Sequence, residues 1–195
     1  MSENFDIKST IFKLEKKILT SMATKSIITA LSSETETKFL KSLYGLIKMD
    51  TSKKRAEKLI RNIIKISLKY TLIVRNGGSN VNKFNTQELE NIEMLQDRFN
   101  RLILTLLTYS SIPYTYDERY LIKELKDTEN VLLFIIERHV TKKTISRIQD
   151  TFNYFTSSQF FYKLYRTTDK EIQEDVKYQN YVNKLVDSMN HMMDS

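Results

Sequence analysis

The chain has 195 residues, a formal charge of +7 from 31 Lys/Arg against 24 Asp/Glu, three glycines, one proline and no cysteine. This length suits one domain with a sizeable core, and 41% apolar residues place it well above the disordered regime. So few Gly and Pro residues argue against the many tight turns of an all-β or Rossmann-type fold, and the lack of cysteine excludes disulfides and thiolate catalysis.

Residues 1–24 form the first predicted unit, an amphipathic helix from Phe5 to about Met22. Ile7, Ile11, Leu14, Ile18 and Met22 recur at helical spacing, with Lys13, Lys16 and Lys17 between them. Residues 25–165 follow as a helical core. Ser33 with Glu36 reads as a capping box opening a helix to about Met49, with Phe39, Leu43, Leu46 and Ile47 inward. Ser52 caps a third helix, Lys53 to about Val74. On it Lys54, Lys58, Arg61, Lys65 and Lys69 form one basic stripe opposite Leu59, Ile60, Ile63, Ile64, Ile66 and Leu68. Glu57 is the only carboxylate on that helix, so the stripe is not neutralised locally, by its own helix.

Asn76-Gly77-Gly78 then stops the helix, with glycine suited to a left-handed cap, and the loop to Asn85 is the best candidate for mobility. A fourth helix spans roughly Thr86 to Ser110. Its second half, from Phe99, is apolar on most faces and is expected to be deeply buried or to line a cavity. After Pro113, Thr115 with Glu118 reads as a box opening a helix to about His139. Thr141 caps another, with Ile145, Ile148, Phe152 and Phe155 inward. A short helix covers Gln159 to Tyr165, and within residues 166–195 Thr168 with Glu171 opens the C-terminal helix, to about Met192. The fold class is therefore all-α, one domain of about seven helices.

Charge is unevenly placed. Residues 1–80 hold 16 Lys/Arg against 7 Asp/Glu, whereas residues 81–195 hold 15 against 17. A one-sided basic field suits an anionic partner: phospholipid headgroups, nucleic acid or an acidic protein. The stripe from Lys54 to Lys69 is a candidate membrane or partner surface, and equally a solvated helix face. Nucleic acid is not expected, because no recognised module is present and the aromatics sit mostly at core spacing. No basic-then-apolar leader is visible at the N-terminus, and the most apolar run, Val131 to Ile136, is too short to span a bilayer. The two histidines, His139 and His191, belong to no cluster with metal spacing. Walker, GxSxG and HExxH patterns are absent, so neither an enzyme nor a metal site is expected. His139, ending an apolar helix, suits the helix dipole.

Four segments in register resemble the tumour necrosis factor alpha-induced protein 8 (TIPE) family. They are Leu14 to Ser26; Leu59 to Ile66 running on to Val74-Arg75-Asn76-Gly77; Asn130 to Thr141; and Arg147-Ile148 through Phe152 and Phe155 to Leu164-Tyr165. The agreement covers roughly residues 5–165, and the last helix matches poorly. The resemblance implies a mostly antiparallel helical bundle around a large apolar cavity. It further implies phosphoinositide carriage, with acyl chains in the cavity and the headgroup among cations at its mouth. By the same resemblance no cofactor is expected beyond a bound phospholipid. The setting would be the cytoplasm with peripheral plasma-membrane association, in cell-death, inflammatory or migration signalling, with small GTPases as possible protein partners. Carried over by position, the headgroup residues fall on Lys16, Lys17, Lys25 and Arg75. A further family arginine falls on Asn100, flanked by Arg98 and Arg101 as candidate substitutes.

Overall fold

The computed structural model describes residues 5–18, 33–79, 81–112, 115–157, 159–166 and 175–194, with the side chains of residues 15–18 and 166 outside that description. Among these residues it is all-α. The helices are α1 (Ile7–Ile18), α2 (Glu34–Asp50), α3 (Lys53–Arg75), α4 (Thr86–Ser111), α5 (Glu118–Ile136), α6 (Lys142–Ser157), α7 (Phe160–Arg166) and α8 (Val176–Met193). A 3₁₀ turn at Glu137–His139 ends α5.

The caps show why the helices start where they do. Ser33 accepts from the Glu36 N–H and Ser52 from the Arg55 N–H, as their spacing predicts. Asn85 and Glu88 form a full reciprocal capping box at the start of α4. At α5 the cap is Asp117, which accepts from the Tyr120 N–H; the Thr115 hydroxyl instead donates to the Ile112 carbonyl. The carboxylate of Asp175, accepting from the N–H groups of Lys177 and Tyr178, opens α8, and the predicted Thr168–Glu171 box lies outside the described residues. Gly77, at φ +63°, takes the left-handed position after α3, and the Gly78 N–H closes on the Ile73 carbonyl.

Neighbour contacts close into a ring of six helices: α2 packs on α3, α3 on α6, α6 on α5, α5 on α4, α4 on α8, and α8 back on α2. Neighbours run antiparallel. Arg55 pairs with Asp150 while Lys69 reaches Thr144, which fixes α3 against α6. Arg98 lies near Glu124 and Tyr109 donates to the Asp117 carbonyl, which fixes α4 against α5. α8 presses closest on α2 at Gly45, where a Cβ would stand 2.5 Å from the Tyr181 ring. α1 lies outside the ring against α2 and α3, burying Ile7 and Ile11, with Phe5 4.9 Å from the Tyr44 ring.

α7, seven residues and about 10 Å long, packs at one end of the ring. Lys163 donates to Asp50 at the end of α2, and the Lys163 carbonyl accepts from Tyr178 at the start of α8. Phe161 meets Phe155 of α6, and Tyr165 meets Tyr109 and Tyr116. The buried apolar residues fall into three clusters, of which the first and third touch, since Leu106 and Phe161 pack against both. The first joins α1, α2, α3 and α8 with Tyr154 of α6 and Phe160 of α7; the second joins α4, α5 and α6; the third sits under α7.

The second half of α4 departs from expectation. Leu102 is buried, but Phe99 is 42% and Leu104 50% exposed, so this stretch is not deeply buried on most faces. Only part of α4 is covered by α5 and α8, and its apolar residues outnumber the positions that those two contacts cover.

Candidate functional site

The α3 stripe is partly neutralised, from its own helix as well as from α6. Asp150 of α6 takes Arg55 at 2.9 Å and Lys58 at 3.0 Å, and also accepts from the Asn62 amide. Burial alone would raise the Asp150 carboxyl, but the hydrogen bonds from Lys58 and Arg55 outweigh it and leave it below its ordinary value. Glu57 reaches Arg61 at 3.4 Å, and the Arg61 guanidinium stands 5.2 Å over the Phe5 ring. Lys69 donates to Thr144 at 2.6 Å, and burial, with Arg147 nearby, lowers its pKa. Lys54 remains exposed and Lys65 is half-buried. The stripe thus changes character along its length: its first half is open to solvent and its second half joins the α3–α6 contact.

The ring end opposite α7 gathers the end of α3, the starts of α2, α4 and α6, and the end of α8. α1 points the same way, since Phe5 sits by Tyr44 and Arg61 whereas Ile11 sits by Phe39, Ile64 and Ser67. Lys16 and Lys17 stand in the last turn of α1, and exposed Arg75 closes α3, so the backbone brings these three expected headgroup positions to one end. Lys25 lies outside the described residues. Arg98 and Arg101 are elsewhere, midway along α4. Arg98 is 20% exposed and sits 3.6 Å from Glu124 and 3.8 Å from Asp127 in the α4–α5 seam, whereas Arg101 faces solvent. Near the open end an apolar recess of about 180 Å³ is lined by Ile11, Phe39, Leu40, Ile63, Ile64 and Met192 among others.

The loop after α3 is braced rather than loose. Glu88, 2% exposed, binds Arg138 at two points, 2.8 Å to Nε and 2.6 Å to Nη2. The Arg138 guanidinium holds the Glu88 carboxyl down to about 2 against the opposing effect of burial. Arg138 also donates to the Lys83 carbonyl, and its own carbonyl accepts from Asn82. The His139 side chain is fully buried: its Nδ1 accepts from the Ser79 N–H at 3.1 Å and its Nε2 lies 3.4 Å from Glu88. Its place is set by this network rather than by a helix-end charge at the surface. Sequence spacing missed the cluster because Glu88 and Arg138 are fifty residues apart.

A second feature was also missed. Between α2 and α8 runs an open groove of about 940 Å³, lined by Lys38, Lys41, Lys48, Lys53 and Lys184, with Tyr44 and Tyr181 in it. On α2 the Lys38, Lys41 and Lys48 positions share one face with Gly45, a pattern that in sequence reads as a solvated surface. Among the described residues no group of His, Asp or Glu could hold a metal ion, and no helix is long and apolar enough to cross a membrane.

A ring of antiparallel helices, with a short aromatic helix at one end and cationic positions at the other, defines an all-α helical bundle. The family model described as "Tumor necrosis factor alpha-induced protein 8-like" matches residues 5–195, and the chain belongs to that family. The chicken tumor necrosis factor alpha-induced protein 8 is 35% identical over 191 residues, covering 97% of this chain and 95% of the relative. The human protein of the same name is 32% identical over 191 residues, covering 97% and 90%. The Drosophila melanogaster protein salivary glands marred is 32% identical over 184 residues, covering 94% and 92%. The family match runs through α8, beyond the roughly 5–165 that the four motif segments cover.

Proposed function

We propose that this chain is a non-enzymatic phospholipid-binding or transfer protein that takes phosphoinositides at an anionic membrane surface. The observation that carries the reading is the ring itself: six antiparallel helices close a circuit, and the short α7 packs at one end of it, so that an axial space for a ligand belongs to this proposal. One further feature supports space along that axis. Six consecutive residues of α3, Lys69 to Val74, are all half-buried although they point to every side of the helix. A helix between a dry core and water alternates buried with exposed positions instead.

Acyl chains are the occupant that such a space rewards, since each buried methylene contributes roughly 0.8 kcal/mol. A phosphorylated headgroup then meets the open end, where Lys16, Lys17 and Arg75 are placed and where Arg offers a planar fork for oxygen pairs. Lys25 is assigned to the same task by the family resemblance, and Arg101 is left as a contact outside the mouth. A cytoplasmic protein that docks peripherally on the plasma membrane fits this reading. So does a role in cell-death, inflammatory or migration signalling, which the family resemblance implies, the relatives' names themselves giving induction by tumor necrosis factor alpha. Incubating the folded protein with phosphoinositide-bearing donor liposomes and plain acceptors tests it. Transfer above the spontaneous rate is expected, and no extraction by well-folded protein counts against it.

A second reading, a signalling adaptor that binds acidic partners such as small GTPases, is favoured by the open first half of the stripe. There the Lys58 side chain is 59% and Arg61 49% exposed despite their ion pairs. Charge reversal at Lys58, Arg61 and Lys65 that leaves every partner bound removes it.

A further inference from the structure

We infer that the groove between α2 and α8 is a separate docking site for an acidic peptide segment of a partner protein. It lies on the outer wall of the ring, so it stands independently of what fills the axis. Its walls exist because Gly45 lets the Tyr181 ring lie directly on the α2 backbone, drawing α8 with its Lys184 close to the basic face of α2.

The charges in the groove are divided along its length. Toward the open end Glu34 holds Lys38 at 2.8 Å, and Asp187 lies across from it on α8. On the α1 side, Asp6 is engaged by the Ser9 N–H. From Lys41 and Lys184 toward α7, the lining residues of α2 and α8 are basic, aromatic or hydroxylic, namely Lys41, Ser42, Tyr44, Lys48, Tyr181 and Lys184, joined by Lys53 at the start of α3, and the carboxylate on this side is Asp6, beside Phe5. Burial raises the Tyr44 phenol, with Glu57 and Tyr181 adding to the effect, so it remains a hydrogen-bond donor at neutral pH.

Shape selects among anionic occupants. Lys41 and Lys48 are two helical turns apart, about 10.5 Å, too far for one compact headgroup to hold both closely. A flat bilayer does not enter a recess between two helices. An extended peptide advances about 3.3 Å per residue, so some three residues separate the two lysines and carboxylates along one segment meet both. The tyrosine rings add apolar contact beneath it and hydroxyls at its edge.

Fluorescence anisotropy with a labelled decaglutamate peptide tests the site on the full chain. Salt-sensitive binding is expected, weakened about tenfold or more in a Lys41→Glu, Lys48→Glu, Lys184→Glu variant. A control variant with the same charge change on other helices, Lys123→Glu, Lys126→Glu and Lys143→Glu, is expected to bind within about twofold of the parent. A milder Lys→Gln triple at positions 41, 48 and 184 gives the same direction if the glutamate variant misfolds. Circular dichroism checks that each variant is helical. No binding by the parent chain, or equal loss in the control variant, overturns the proposal. Binding of phosphatidylserine vesicles through these lysines without peptide binding overturns it in favour of a membrane contact. Phosphoinositide transfer unaffected by the groove variant keeps the two sites distinct.

Discussion

Glu88 and Arg138 meet in a two-point ion pair at the open end of the ring, joining the first turn of α4 to the 3₁₀ turn after α5. The same carboxylate accepts from the Asn85 N–H, so one side chain caps a helix, neutralises a guanidinium and faces a buried imidazole. Glu88→Gln removes the charge and keeps the size. A loss of about 2 kcal/mol is expected, below the roughly 3–5 kcal/mol for a fully buried pair because Arg138 is 43% exposed.

The pH dependence of that loss has a definite sign. The folded carboxyl sits at about 2, below its ordinary 4.5, so its contribution is complete above about 4.5 and disappears as pH falls toward 2. Urea melts of the parent and Glu88→Gln across this range are expected to differ fully at neutral pH and to converge in acid. A difference that is constant with pH contradicts the ion-pair account.

Gly45→Ala tests the closest helix contact. The new Cβ falls 2.5 Å from the Tyr181 ring, so that ring must swing aside or α8 must shift outward with it. Overpacking of this kind costs about 1–3 kcal/mol. Faster hydrogen exchange in α8 than in α5 is the expected readout. Adding Tyr181→Ala is expected to recover part of the loss by clearing the space.

Asp150→Asn releases Arg55 and Lys58 from their shared carboxylate. Each cation near an anionic membrane adds about 1 kcal/mol, so tighter sedimentation with phosphatidylserine vesicles is expected, by several-fold, if the α3 stripe faces the bilayer. Unchanged binding assigns the stripe to the α3–α6 contact alone.

Helix identity and most boundaries were legible in the sequence because they depend on local signals. Apolar residues such as Leu59, Ile60 and Ile64 repeat at helical spacing, Ser33 and Ser52 cap by their own hydroxyls, and Gly77 marks a left-handed turn. Thr115 failed as a cap because a nearer competitor, Asp117, offers a carboxylate to the same turn. What depends on partners across the ring was invisible. The burial of Glu88 follows from Arg138, the neutralisation of Lys58 from Asp150, and the meaning of Gly45 from Tyr181. Periodicity also overstated α4, since an apolar run states how much surface wants cover and not how much the neighbours supply. For the candidate site, family position brought Lys16, Lys17 and Arg75 to one end of the ring, whereas Arg98, chosen by adjacency to Asn100, sits against Glu124 and Asp127.

The central claim, a lipid held along the axis of the helix ring, is tested most directly by native mass spectrometry of the protein purified from cells and then exposed to phosphoinositide-bearing vesicles. A folded protein carrying one phospholipid per chain, exchanged for phosphoinositide on exposure, is the expected result. A folded protein that shows only its own mass before and after exposure contradicts the claim.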